Sequence, residues 1–188
     1  LKASRNEMKS NTGEGRQALQ QARLLGVAGK VDEAIAAYEK LYGGVPDDVD
    51  VAIEYWTRVA RLPSRHSEGV SQLKKLNASA PGNVSLLTSL AKQMFADNKP
   101  QEGFAYLAEM ARSASGRGIA ADMWFSEVKS MPVSKASVQA LQQFLLQFPT
   151  GSVAANARVL LDQQQAQLQD PTFRARSAGL LSPIHISE

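Results

Sequence analysis

Apolar residues recur along the chain at helical spacing, in short segments parted by turns that hold glycine, proline or asparagine. In RQALQQARLLGVAGK the positions Ala18, Ala22 and Leu25 share one helix face, and Gly29 supplies the stop. A second helix follows, with Asp32 as its predicted cap, an inner face of Ala34, Ile35, Tyr38 and Leu41, and Pro46 closing the unit. The same pair of helices then returns as DVAIEYWTRVARL and SEGVSQLKKLNA, as NVSLLTSLAKQMFADN and KPQEGFAYLAEMA, and as GIAADMWFSEVKS and SKASVQALQQFLLQF. Pro100 falls in the first turn of its helix, where the missing amide hydrogen costs little.

Laying the copies over one another exposes columns. The segments opening at Glu33, Glu68 and Glu102 stand 35 and 34 residues apart. A small residue recurs as Ala34, Gly69, Gly103 and Ser137, compact enough for two helices to approach closely. A large apolar residue recurs as Tyr38, Leu73, Leu107 and Leu141, and three positions on come Leu41, Leu76, Met110 and Phe144. A period near 34 holding two amphipathic helices is the signature of a tetratricopeptide-type repeat. The predicted fold is therefore all-α, a right-handed helical-repeat solenoid of about four helix pairs plus a longer C-terminal helix. Its repeats are placed at 15–49, 50–83, 84–117 and 118–149 within a region 15–149. Residues 1–14 read as a linker or the end of a preceding helix. Beyond Pro149 the columns lapse: 150–181 reads as a divergent helix and connector interrupted by Asp170-Pro171, with a bend expected between Thr150 and Phe173. The tail 182–188, SPIHISE, is foreign to the pattern and reads as vector-derived.

Composition narrows what such an array can do. Hydrophobic content of 44% against 21% charged residues over 188 positions is that of a folded chain. The absence of cysteine removes disulfides, thiol catalysis and thiolate metal sites. A formal charge of +3 raises the question of nucleic acid, but residues 1–48 carry 7 basic and 7 acidic side chains and residues 49–81 carry 5 and 3, so no basic block exists and no nucleic-acid partner is expected. No apolar run approaches the roughly 18–20 residues that cross a bilayer, and LKASRNEMKS lacks the apolar centre of a signal peptide.

Candidate chemistry is sparse. His66 is expected in a solvated inter-helix turn and His185 in the tail, without the partners that a metal site or a triad needs. Acidic pairs such as Asp32-Glu33 and Asp47-Asp48 fall at helix starts, where they cap amides, and nothing apolar nearby would raise one carboxyl pKa for glycosidase work. The glycines of NTGEGR and SASGRG miss the phosphate-loop patterns. No catalytic residue, metal ligand or cofactor site is expected, and the chain does not read as an enzyme. Trp56 and Trp124 could stack on sugar rings, but they share a first-helix column with Leu90 between them, which favours core over a carbohydrate platform. Groove-facing positions of the first helices provide the candidate binding set: Arg23, then Glu54, Arg58 and Arg61, then Lys92 and Phe95, then Asp122 and Lys129. Arg23, Arg58 and Lys92 occupy one position in three successive repeats. They are either ordinary solvated cations or a row that binds an acidic segment of a partner or a hydroxyl-rich polymer.

Less regular strings carry a resemblance. GRQALQQAR, the EYW of repeat two, QLKKLNASAPGN, EGFAYL, MPVSKASVQAL and DPTFRARSAGL together resemble the periplasmic tetratricopeptide-repeat region of the cellulose export component of bacterial cellulose synthase, its C subunit, from about Gly15 to Leu181. The resemblance implies a non-catalytic periplasmic scaffold, followed in the full protein by an outer-membrane β-barrel through which the glucan leaves. The chain itself shows no alternating barrel strands and reads as an amino-terminal fragment of that scaffold, not membrane-embedded. The implied partners are the other cellulose synthase complex subunits, with cellulose or peptidoglycan as glycan candidates. The competing readings are a generic peptide-binding tetratricopeptide repeat adaptor, supported by periodicity alone, and a glycan-binding module, which requires exposed aromatics.

Overall fold

A computed structural model describes residues 12–179, and all regular structure among them is helical. Of the segment 1–14 expected as a linker or the end of a preceding helix, residues 1–11 lie outside the described residues, as do 180–181 and the tail 182–188 with His185. Gly13 and Glu14 belong to the first helix, capped by Thr12. In chain order the helices are α1 (Gly13–Val27), α2 (Val31–Tyr42), α3 (Val49–Val59), α4 (His66–Ser79), α5 (Val84–Ala96), α6 (Pro100–Met110), α7 (Ala114–Ser130), α8 (Lys135–Gln147), α9 (Ser152–Gln169) and α10 (Pro171–Ser177). A 3-10 turn at Pro63–Arg65 leads into α4. No helix among the described residues is long and apolar enough to cross a membrane.

Local chemistry sets the ends of these helices. Thr12, Asp48, Asn83 and Ser113 each accept an amide hydrogen bond of 3.0 Å at the start of α1, α3, α5 and α7. Such side chains satisfy donors that have no partner within the helix. Ser134 and Ser137 form a reciprocal capping box on α8. The expected cap Asp32 is not one. The α2 N-cap is Lys30, which makes no side-chain cap bond, and Asp32 instead sits within the first turn. There its negative charge complements the helix dipole without closing an amide. The turn after α1 is closed by Gly29 at φ +80°, and two periods on Asn98 holds φ +56° in the turn after α5. Asparagine tolerates that left-handed conformation better than most side chains.

The chain divides into two compact units, one up to Tyr106 and one from Leu107. In the first, Tyr38, Tyr42, Tyr55, Trp56, Val59, Leu73, Leu86 and Leu90 form a buried cluster that draws on α2 to α5. Gly69 lets α4 meet the end of α3: a Cβ there would stand 2.5 Å from the Ala60 backbone nitrogen. Gly103 is sealed in the same way by the Phe95 ring of α5. In the second unit Trp124, Phe144 and Phe148 pack ring against ring, with centroids 5.0–6.4 Å apart. The Trp124 indole nitrogen donates to the Ala140 carbonyl at 2.9 Å. The small and large columns are core, with Ala34, Ser137, Tyr38, Leu73, Leu107 and Leu141 fully buried, and Ala22 joins Trp56, Leu90 and Trp124 inside. In the third column Met110 and Phe144 are buried but Leu41 and Leu76 only partly. Ala18, expected on the inner face, is exposed, while Leu19 packs against the core instead.

Candidate functional site: a polar groove between α3 and α5

The helices α3 and α5 are first helices of neighbouring pairs, and between them runs a groove of about 560 Å³. From α3 and the turn after it come Glu54, Thr57, Arg58 and Arg61; from α5 come Ser85, Thr88, Ser89, Lys92 and Gln93. Four of the predicted binding residues, Glu54, Arg58, Arg61 and Lys92, are thus brought together on one wall pair. The groove floor is hydroxylic. Thr57 Oγ1 and Ser89 Oγ lie 2.8 Å apart, and the Thr57 hydroxyl also stands 2.7 Å from the Ile53 carbonyl.

The cations of the predicted row are not equivalent. Arg23 is committed to Glu54: its Nε donates at 3.1 Å to both carboxylate oxygens, and its Nη2 lies 2.9 Å from Oε1. That carboxylate raises the Arg23 pKa, first through the hydrogen bond. The Tyr38 hydroxyl donates to Glu54 Oε2 at 3.0 Å, and burial, followed by the nearby Glu54 charge, raises the pKa of the phenol. A reciprocal pair lies alongside, with the Tyr55 hydroxyl donating to Glu39 Oε1 at 2.7 Å. Arg58 threads past Gly26, where a Cβ would collide with its Nε, and that Nε is buried without a hydrogen-bond partner among the described residues. Arg61 and Lys92 are exposed. The groove therefore has a neutralised end at Arg23–Glu54 and three uncommitted cations, Arg58, Arg61 and Lys92.

The remaining predicted residues lie elsewhere. Phe95 turns away from the groove, edge-on to Phe104 at 5.0 Å and over Gly103. Three residues past Lys92, it follows the apolar stripe of α5 onto α6. Asp122 and Lys129 are exposed on α7 in the second unit, where the Lys129 ammonium sits 4.9 Å over the Phe125 ring. Among the described residues no three His, Cys, Asp or Glu side chains gather where they could hold a metal ion.

No family model matches the chain. Relatives do. The cellulose synthase operon protein C of Salmonella typhimurium is 49% identical over 178 residues, 95% of this chain, and that of Escherichia coli strain K12 is 49% identical over 179 residues. A crystal structure of the flexible tandem repeat domain of the C subunit of bacterial cellulose synthase is 48% identical, with a TM-score of 0.72 over 90% of this chain and 70% of that one. The chain belongs to the cellulose synthase operon protein C family. It spans 15% of the length of the Salmonella relative and 16% of the Escherichia coli one.

One residue departs from its expected surroundings. His66 is not a solvated loop residue. It opens α4 with 29% of its side chain exposed, its Nδ1 lies 2.6 Å from the Ala60 carbonyl and its Nε2 lies 2.8 Å from Asp97 Oδ2. Asp97 stands 31 residues on, the same offset as Arg23 to Glu54, while Thr57 to Ser89 is 32. Polar partners at that offset were the available signal. Arg23–Glu54 and Thr57–Ser89 link first helices of neighbouring pairs, whereas His66–Asp97 links the start of a second helix to the end of the next first helix. The two tryptophans are core, Trp56 at 8% and Trp124 at 4% exposure. Neither ring offers a face for stacking on a sugar.

Proposed function

We propose that this chain is a non-catalytic segment of the periplasmic scaffold of the cellulose synthesis and export complex. In that role it mediates protein-protein contacts and helps guide the glucan toward an outer-membrane pore. The observation that carries the reading is membership of the cellulose synthase operon protein C family, together with a stacked-helix architecture whose polar groove presents cations rather than a reactive constellation. The groove is proposed to take an acidic, extended segment of a protein partner in the complex along Arg58, Arg61 and Lys92. Cellulose offers hydroxyls and no charge, so complementarity favours a protein acid over the glucan.

The test compares an oligo-glutamate peptide with a cello-oligosaccharide by calorimetry at low and at physiological salt. The peptide is expected to bind, to weaken as salt rises, and to lose about tenfold, ~1.4 kcal/mol, in an Arg58→Ala/Lys92→Ala variant. Unchanged affinity in that variant at low salt, or binding of the sugar alone, would overturn the acidic-segment reading. The adaptor alternative shares this groove and differs in compartment and partner. Recovery of cellulose synthase subunits with the full-length protein, lost in the same variant, separates the two.

A further inference from the structure

At the junction of the second and third helix pairs, the ends of two helices converge on one imidazole. Ala60 is the C-cap of α3 and Asp97 the C-cap of α5. Helix C-termini carry partial negative charge and unpaired carbonyls, so both ends favour a cation between them. His66 stands there with each ring nitrogen directed at an oxygen acceptor, Ala60 O at 2.6 Å and Asp97 Oδ2 at 2.8 Å. A neutral imidazole has one N–H and one lone pair, so it can satisfy only one of those acceptors and must oppose a lone pair to the other. Imidazolium donates to both. We propose that His66 is a pH-sensitive clasp across this junction, closed as imidazolium between the ends of α3 and α5 and weakened when it loses its proton.

The charged surroundings are mixed but favour the cation. Asp97 is the group in direct contact. Lys99, in the turn after α5, opposes it, and Lys74 and Lys75 of α4 line the same 550 Å³ hollow. Lys74 is partly neutralised by Glu102 of α6 at 3.3 Å, and Arg65, just ahead of His66, is held by Glu68 at 2.8 Å. α3 contributes the Ala60 carbonyl. The balance raises the His66 pKa, chiefly through the Asp97 hydrogen bond and next through the Ala60 carbonyl. A raised folded value means that the clasp is at full strength below the ordinary imidazole pKa of about 6.5 and is lost as pH rises through the folded value. The junction is thus tighter in mildly acidic solution and looser in mildly alkaline solution.

Two measurements test this. An NMR titration in a His185→Gln background, which leaves one imidazole, should show His66 titrating above the ordinary value and dropping in Asp97→Asn. Thermal midpoints between pH 5.5 and 8.5 should fall more steeply with pH in the parent than in His66→Gln. Should His66→Gln fail to fold, the titration and Asp97→Asn decide alone. A His66 pKa at or below the ordinary value, one indifferent to Asp97→Asn, or parallel midpoint profiles would overturn the clasp.

Discussion

Two tyrosine–glutamate pairs cross between α2 and α3, each tyrosine on one helix answering the glutamate beside its counterpart on the other. Tyr38 donates to Glu54 and Tyr55 to Glu39, and the two rings meet edge-on at 6.4 Å. Glu54 also holds Arg23, so it orders the closed end of the groove as well as the core beneath it. Removing the Tyr38 hydroxyl as Tyr38→Phe keeps the packing and leaves Glu54 one donor short. The expected cost is about 1 kcal/mol, read as a lower urea midpoint with an unchanged slope. Glu54→Gln is expected to behave differently: it releases Arg23 as a fourth free cation and should strengthen oligo-glutamate binding even as it destabilises the fold. These residue-level facts divide by how far they could be read beforehand. The small and large columns were legible because burial alone decides them, and burial follows period. Which cation would be free was not legible. Arg23, Arg58 and Lys92 share a column, yet Arg23 meets Glu54, Arg58 meets the bare backbone of Gly26, and Lys92 meets solvent. That outcome depends on the stacking offset between neighbouring first helices, a three-dimensional quantity.

At the scale of the helices, stability rests on how each end is closed and how closely each pair approaches. The α8 start is doubly tied: the Ser134 hydroxyl accepts from the Ser137 amide at 3.2 Å, and Ser137 Oγ accepts from the Ser134 amide at 2.9 Å. Ser137 Oγ also lies 2.7 Å from Gln164 Oε1, a buried contact that fixes α9 on α8. Gln164 could not be picked out beforehand, because Gln163, Gln165, Gln167 and Gln169 carry the same side chain and only the packing direction distinguishes it. Ser134→Ala is expected to cost about 0.5–2 kcal/mol, measured by urea unfolding. It should also loosen hydrogen-exchange protection in the first turn of α8 before the rest of that helix. Where α9 gives way to α10, Asp170 caps the new helix through the Thr172 amide at 2.9 Å and Pro171 interrupts the old one. We propose Asp170-Pro171 as the bend point of the 150–173 segment. Small-angle scattering of the parent and of a Pro171→Ala variant checks it: a stiffer particle is expected when the break is removed, and identical profiles would place the bend elsewhere.

For the whole chain, the division between Tyr106 and Leu107 bears on how the protein unfolds, because a repeat array is stabilised by the sum of its units and their nearest-neighbour contacts rather than by one shared core. The two tryptophans report on it conveniently, since Trp56 lies in the first unit and Trp124 in the second, and both are buried. Gly69→Ala forces a methyl against the Ala60 backbone, which cannot give way as the tip of a side chain could, and overpacking of this kind costs typically about 1–3 kcal/mol. Introduced into a Trp124→Phe background, it should lower the urea midpoint reported by Trp56 by the full amount. In a Trp56→Phe background, the midpoint reported by Trp124 should move by clearly less, because the damaged helix contact is several neighbours away along the chain. Equal shifts from both reporters would mean that the chain unfolds as one cooperative block. The nearest-neighbour account would then be wrong.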